Sequence, residues 1–170
     1  PWNFPAMKNE IATGRVPDQF RNEVMPVLGR DGTTWLLVQT AAEVRRYDEA
    51  GALVWSRELD VPEIEAARRE FFRRNEEEPS PSVLVPLITF AAAREVGRRL
   101  WVLMRTEESS EEAVLYVLDR DTGAVTGRAI IGVPAAANSF AVDERRGALY
   151  LGIAPEASVL AVDAYGILRM

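Results

Sequence analysis

The sequence predicts an all-β fold in which antiparallel sheets follow one another along the chain. Two apolar runs at 100–104 and 113–118, a turn at 119–123 and a third run at 124–131 have the pattern of three consecutive antiparallel strands. The same unit recurs upstream and downstream in degraded form. One helical pattern, at 60–78, interrupts the repeat.

Composition limits the classes of function. A chain of 170 residues fits one domain or part of a larger one, and its 48% hydrophobic content is that of a globular protein. Twenty basic against 26 acidic residues give a net charge of -6, which argues against a nucleic-acid partner. The sequence has no Cys and no His, so it forms no disulfide and lacks the commonest general base and metal ligand. No apolar run reaches the roughly 18 residues of a membrane span.

The N-terminal region, residues 1–22, is rich in Pro and Gly and predicts either a partly ordered terminus or a packed segment, as an arm or a strand from a neighbouring sheet. The chain starts at Pro1 without an initiator Met or a signal-like segment. We therefore expect it to be processed or cut from a longer precursor.

Residues 23–59 predict the first four-stranded unit. Its turns, 29–32 and 48–51, contain Asp and Gly, which suit tight hairpin turns. The four strands are predicted at 23–28, 35–39, 43–47 and 52–59.

Residues 60–82 predict a helical insertion. Asp60 is the expected N-cap, with Glu63 completing a capping box. The apolar stripe comprises Ile64, Ala67 and Phe71, and we expect Ile64 and Phe71 to pack the helix onto an adjacent sheet. The helix should be stopped by Asn75 to Pro81, and its expected i, i+4 ion pairs are Glu65 with Arg69 and Glu70 with Arg74.

Two further units follow, at 83–132 and at 139–170, the second of them truncated. The unit at 83–132 is predicted to begin with a strand at 83–92 that turns near Gly97. The truncated unit is predicted to contain strands at 139–143, 148–154, 158–163 and 167–170.

The three units share two signals. In each, a Gly turn leads to an aromatic residue, and a later strand ends in an Asp followed by a Gly turn. The aromatic residues are Trp35, Trp101 and Tyr150, and the Asp residues are Asp48, Asp119 and Asp163. The Asp residues are 71 and 44 positions apart, and subtracting the helical insertion brings the first interval towards the second. A period of about 40 to 50 residues with four strands per unit indicates a β-propeller.

The pattern resembles the six-bladed β-propellers of the NHL-like and TolB-like kind over roughly residues 20–170. The resemblance implies a scaffold of bacterial type, often periplasmic or secreted, that binds proteins, sugars or small ligands. A minority of such proteins are hydrolases or lyases. The helix between two blades departs from the plainest repeat.

Three blades are too few to close a ring. We therefore expect further blades in the same polypeptide, or a protein partner or second copy that completes the propeller. The strands around Leu36, Val38, Leu149 and Leu151 suggest that the two terminal sheet faces are apolar.

The charged motifs predict turns and solvated loops. The Asp119–Gly123 segment is similar to the start of a calcium loop but lacks its later ligands, so a hairpin turn is the better interpretation. Recurrence of Asp48, Asp119 and Asp163 argues for a structural role. An acidic loop contains Glu107, Glu108, Ser109, Ser110, Glu111 and Glu112, and the Arg doublets 45–46, 68–69 and 98–99 alternate with acids. Trp35, Trp101 and Tyr150 are expected in the blade core.

No residue is therefore assigned a catalytic, cofactor-binding or metal-binding role, and no cofactor is predicted. The predicted function is a non-catalytic binding or assembly module that presents loops to a protein or a small ligand. The alternative is a propeller hydrolase or lyase, in which carboxylates from several blades hold a divalent ion in the central channel.

Overall fold

The computed structural model describes residues 3–20, 23–106, 110–153 and 158–163, which contain two α-helices, one 3₁₀ turn and eleven strands. The helices are α1 (Phe4–Ala12) and α2 (Pro62–Glu77), and the 3₁₀ turn is Asp18–Phe20. The strands are β1 (Val24–Leu28), β2 (Thr34–Val38), β3 (Glu43–Tyr47), β4 (Leu53–Glu58), β5 (Phe90–Val96), β6 (Arg99–Met104), β7 (Glu112–Asp119), β8 (Val125–Gly132), β9 (Ala137–Asp143), β10 (Ala148–Ile153) and β11 (Ser158–Asp163).

These strands form three antiparallel sheets of sequence neighbours: β1 to β4, β5 to β8, and β9 to β11. The first strand of each sheet lies beside the first strand of the next, as the innermost strands of propeller blades do. The fold class predicted from the sequence is therefore confirmed. The chain is mostly β, with blade-like sheets in the arrangement of a partial propeller.

The second sheet is buried on both faces. Side chains alternate between the two faces along β6 and β7, and both sets are apolar. Even-numbered residues such as Leu100 and Val102 pack against the first sheet with Trp35 and Leu37. Odd-numbered residues pack against the third sheet, with Trp101 and Leu103 among them. The two continuous apolar runs in the sequence thus supply two separate inter-sheet cores.

Helix α2 joins two of the hydrophobic clusters. Ile64 packs into the core between the first and second sheets. Phe71 lies two turns further along and packs instead with Met7, Phe20 and Leu87. The apolar stripe is correct, but the expectation that Phe71 packs onto a sheet together with Ile64 is wrong. Phe71 fastens the N-terminal helix to α2.

The N-terminal region is a helix rather than an arm or a strand. The side chain of Asn3 caps α1 by accepting a hydrogen bond from the N–H of Ala6 at 3.3 Å. Pro5 is tolerated because it lies in the first turn, where its missing N–H costs no helical hydrogen bond. Met7 and Ile11, four residues apart, form the buried face.

The segment 83–89 is not a strand, and β5 begins only at Phe90. The buried side chain of Asn75 holds this segment. Its Nδ2 donates to the carbonyl of Val85 at 3.0 Å, and its Oδ1 accepts from the N–H of Val85 at 2.9 Å. Helix α2 ends at Glu77, inside the segment 75–81 that was expected to stop it, and Asn75 itself lies in the last turn.

The predicted capping box of α2 is also wrong. The N-cap is Val61, with no side-chain cap, and Glu63 turns toward the second sheet instead. The ion pairs along the helix differ from those expected. Glu65 pairs with Arg68, and Arg73 pairs with both Glu70 and Glu77.

Several predictions lie outside the described residues, namely those for Glu107, Glu108 and Ser109, for the turn at 164–166 and for the strand at 167–170. In the part of the chain that the structure describes, no helix has the length and apolar character needed to cross a membrane.

Candidate functional site

Two of the three recurring Asp residues, Asp48 and Asp119, hold hairpin turns, as the sequence suggested, and the turn after Asp163 lies outside the described residues. Oδ1 of Asp48 accepts from the backbone N–H groups of Ala50 at 3.0 Å and Ala52 at 2.8 Å. Oδ1 of Asp119 accepts from the hydroxyl and the N–H of Thr122 at 2.8 and 2.9 Å. The hydroxyl and N–H of Thr122 hold the pKa of Asp119 below its usual value. Asp48 and Asp119 therefore act on the backbone of their own turns.

At the same end of the molecule, a network of polar contacts locks the first sheet to the second. The indole N–H of Trp35 donates to Glu95 Oε2 at 2.8 Å. Arg120 lies between Asp31, with which it forms an ion pair, and Glu95, whose Oε1 is 3.9 Å away. The indole N–H of Trp55 donates to the carbonyl of Arg120 at 3.0 Å. These contacts fix the angle between two sheets.

Of the three repeated aromatic residues, Trp35 and Trp101 are fully buried in the two inter-sheet cores, as expected. Tyr150 is half-buried, and it points away from the face of the third sheet that carries Leu149 and Leu151. The expectation that Tyr150 belongs to the core is therefore wrong.

A cleft of about 650 Å³ lies between α2, the segment 85–88 and the second sheet, and we call it the α2 cleft. Its apolar lining includes Ala66, Phe71, Val85, Ile88 and Val114. Its charged lining comprises Glu63, Glu70, Arg74, Arg105, Glu112 and Arg128. Apolar walls with a few converging polar groups are the usual character of a small-ligand site.

Three side chains from three elements are hydrogen-bonded to one another beside the α2 cleft, and two of them, Glu63 and Arg128, line it. The hydroxyl of Tyr116 donates to Glu63 Oε2 at 2.8 Å, and it accepts from Nε of Arg128 at 2.9 Å. A second nitrogen of Arg128 donates to Glu63 Oε1 at 2.5 Å. The three groups therefore form a closed ring of hydrogen bonds that ties α2 to β7 and β8.

The ring fixes the ionisation states of its members. Burial and the neighbouring carboxylate of Glu63 raise the pKa of Tyr116 to about 12, so its phenol is neutral. Burial works to raise the pKa of Glu63, but hydrogen bonds from Arg128 and Tyr116 outweigh it and hold that pKa below its usual value. Glu63 is therefore a carboxylate at neutral pH.

Sequence reasoning missed the α2 cleft. It considered Glu63 only as a cap and gave no role to Tyr116 or Arg128. These positions are 53 and 12 residues apart, so no local spacing connects them. The acidic loop does reach the cleft, because Ser110 and Glu112 line it.

The innermost strands bring two arginines and one carboxylate to their shared side. A shallow cavity of about 590 Å³ there is lined by β1, β5 and β9, including Arg30, Arg94 and Glu95. Nε of Arg94 donates to the carbonyl of Phe140 at 2.8 Å. Within the described ranges, no three acidic side chains are placed to share a metal ion.

No family model matches this chain, and no curated protein matches it. Among solved structures, the chain is similar to a quinohemoprotein alcohol dehydrogenase from Pseudomonas putida HK5, at 15% identity and a TM-score of 0.46. The match covers 78% of this chain and 24% of that one. The chain therefore spans about a quarter of the length of this structure, and the likeness says nothing about activity.

Proposed function

We propose that this chain is part of an NHL-like or TolB-like β-propeller scaffold, and that it serves as a non-catalytic binding or assembly module. In this proposal the α2 cleft receives the apolar part of a small ligand or a side chain of a bound peptide. The observation that carries it is the cleft itself, with an apolar lining of Phe71, Val85, Ile88 and Val114 beneath a charged rim.

The electrostatics of the cleft favour binding over catalysis. A general acid or base works best with a pKa near the operating pH. The hydrogen-bonded ring moves the pKa values of its two acids away from neutral pH, because the pKa of Tyr116 rises to about 12 and that of Glu63 falls. Both side chains therefore keep their ordinary ionisation states, and their hydrogen bonds hold α2 against the second sheet beside the cleft.

The alternative hydrolase or lyase would hold a divalent ion by carboxylates around the central channel. The cavity lined by β1, β5 and β9 contains Arg30 and Arg94 beside the single carboxylate of Glu95. Arginine in that position repels a divalent cation. We therefore favour the binding module.

Assembly and compartment are further parts of the proposal. Further blades in the same polypeptide, a protein partner or a second copy of the chain would complete the propeller. A location outside the cytoplasm of a bacterium is supported only by the resemblance to NHL-like and TolB-like propellers.

Thermal-shift measurements test the proposal with a panel of monosaccharides, short peptides and small carboxylic acids. We expect at least one compound to raise the melting temperature of the wild-type chain. Ala66→Trp fills the cleft and should abolish that shift. Glu76→Trp places the same side chain on an exposed position of α2 outside the cleft and should preserve it.

Two outcomes would overturn the proposal. One is turnover of a panel compound by the wild-type chain, which would show an enzyme. The other is binding that survives Ala66→Trp, which would place the ligand elsewhere.

A further inference from the structure

A second cavity, of about 540 Å³, opens on another side of α2, where the loop after α1 approaches the first sheet. We call it the arginine pocket. Its polar lining comprises Arg15, Thr40, Arg45 and Arg68.

The charge of this pocket has one sign. Arg15 comes from the loop after α1, Arg45 from β3 and Arg68 from α2, so three elements each bring one guanidinium. None of the described lining residues is acidic. Two of the three guanidinium groups are paired with carboxylates that lie outside the lining, so the lining itself carries only positive charge. A concave surface lined by one sign of charge attracts ions of the other sign.

The guanidinium groups are oriented and still have donors to spare. Arg45 pairs with Glu43 at 2.6 Å and Arg68 with Glu65 at 3.2 Å, and each ion pair uses one terminal nitrogen. Neither carboxylate lines the pocket. A guanidinium has five N–H donors, so these pairs set its direction without exhausting it. Arg15 makes no ion pair among the described residues.

The rest of the lining suits a ligand with two parts. The hydroxyl of Thr40 adds a donor beside the arginines, whereas Val16, Val38 and Phe72 form an apolar surface. A planar guanidinium matches the oxygens of phosphate and carboxylate groups, and charge-assisted hydrogen bonds of this kind are among the strongest.

We propose that the arginine pocket binds a multiply charged oxyanion, whether phosphate or clustered carboxylates, carried by a ligand whose apolar part rests on Val16 and Phe72. This site is separate from the α2 cleft, so its success or failure is independent of the proposed function. It also gives a role to two arginine doublets of the sequence, because Arg45 and Arg68 each come from one of them.

Titration calorimetry at constant ionic strength tests the proposal, with sodium pyrophosphate and sodium citrate as probes. We expect saturable binding of at least one probe to one site per chain. Arg15→Gln and Arg68→Gln should each weaken that binding about tenfold, because each removes charge-assisted hydrogen bonds. Both side chains are at or near the surface, so neither variant should impair folding.

Arg69→Gln is the matched control. It makes the same change of charge one residue further along α2, at an exposed position outside the pocket. It should leave the affinity within about twofold of the wild type, because an exposed charge at that distance is screened by salt.

The choice of probe distinguishes the two ligand sources. Tighter binding of pyrophosphate indicates a phosphorylated ligand, and tighter binding of citrate indicates a polycarboxylate. The proposal is overturned if neither probe binds saturably, or if Arg69→Gln weakens binding as much as Arg15→Gln does. The second result would mean a general response to net charge.

Discussion

A buried glutamine shows how individual side chains hold the sheets together. Oε1 of Gln39 accepts from the N–H of Thr89 at 2.9 Å and from that of Phe90 at 2.8 Å. Nε2 of Gln39 donates to the carbonyl of Phe90 at 3.1 Å, and the backbone carbonyl of Gln39 accepts from the Thr89 hydroxyl at 2.6 Å. The end of β2 is thereby joined to the start of β5. Pattern reasoning from the sequence treated Gln39 as the last residue of a strand, because a buried amide gives no local signal.

The β7–β8 turn requires glycine both for its positive φ and for the close approach of Trp55. Comparison with Gly51, which has only the positive φ, distinguishes the two effects. Gly123 has φ +68, and an added Cβ would lie 2.7 Å from the Trp55 ring. Gly51 has φ +81 with open space around it. We expect Gly51→Ala to destabilise the protein by about 1 to 2 kcal/mol through its backbone conformation alone. Gly123→Ala should cost clearly more, because Trp55 must also move. Equal losses in urea unfolding would contradict the packing role of Gly123.

The phenol of Tyr116 should titrate at unusually high pH. The folded-state pKa of about 12 exceeds the ordinary value of 10.0, so folding favours the protonated form. This contribution to stability is complete below pH 10 and is lost as the pH rises through about 12. Near-ultraviolet difference titration, with Tyr116→Phe as the reference, isolates this group.

Glu63→Gln is the informative variant in that titration. It removes the negative charge beside the phenol, so the pKa of Tyr116 should fall, while burial keeps it above 10.0. Circular dichroism on the same samples confirms that the chain is folded. An ordinary pKa for Tyr116 in the folded wild-type chain would show that the hydrogen-bonded ring does not form.

Among the larger elements, strands were predicted best where both faces are apolar. The runs at 100–104 and 113–118 match β6 and β7 to within one residue at each end, because burial on both sides leaves a continuous apolar signal. The helix α1 was missed, since its nine residues are stabilised by packing on α2 rather than by their own sequence. The α2 cleft was missed for the same reason, because tertiary contacts assemble it.

Phe71 is the main contact between the two helices. It is 2% exposed, and its ring lies edge-on to those of Phe20 and Phe72, with centroids 6.0 and 5.1 Å apart. Phe71→Ala should destabilise the protein by about 3 to 5 kcal/mol, because it leaves a cavity between α1 and α2. Phe72 is only half-buried, so Phe72→Ala is the matched control and should cost less. A loss below about 1 kcal/mol for Phe71→Ala in denaturant melts would mean that α1 does not pack there.

Across the whole molecule, the two ends of the row of sheets differ. Leu149 and Leu151 were expected on a terminal face, but both are fully buried against the second sheet. Val38 is buried as well. The outward face of the third sheet carries Ala141 and Ala161, paired across Tyr150, and Val159, which is 68% exposed.

The outward face of the first sheet carries large exposed apolar side chains on two of its strands, β1 and β4. One row of paired residues crosses its four strands and comprises Leu28, Thr34, Tyr47 and Leu53. This row lies on the face opposite to the one that carries the buried Trp35. Leu28 is 79% exposed and Leu53 54% exposed. A neighbouring blade in a propeller covers a face of this kind, and large uncovered apolar patches favour association.

The isolated chain should therefore self-associate or bind a hydrophobic dye through the first sheet. Replacing Leu28 and Leu53 together by Ser should reduce both signals, because it removes the most exposed apolar groups of that face. The matched control replaces Val125 and Ile130 of β8, which are 44% and 50% exposed but lie on the second sheet. Light scattering and dye fluorescence at micromolar protein measure the outcome. A wild-type chain that is monomeric, melts cooperatively and binds no dye would show that this face needs no cover. The expectation that a further blade, a partner or a second copy covers it would then be wrong.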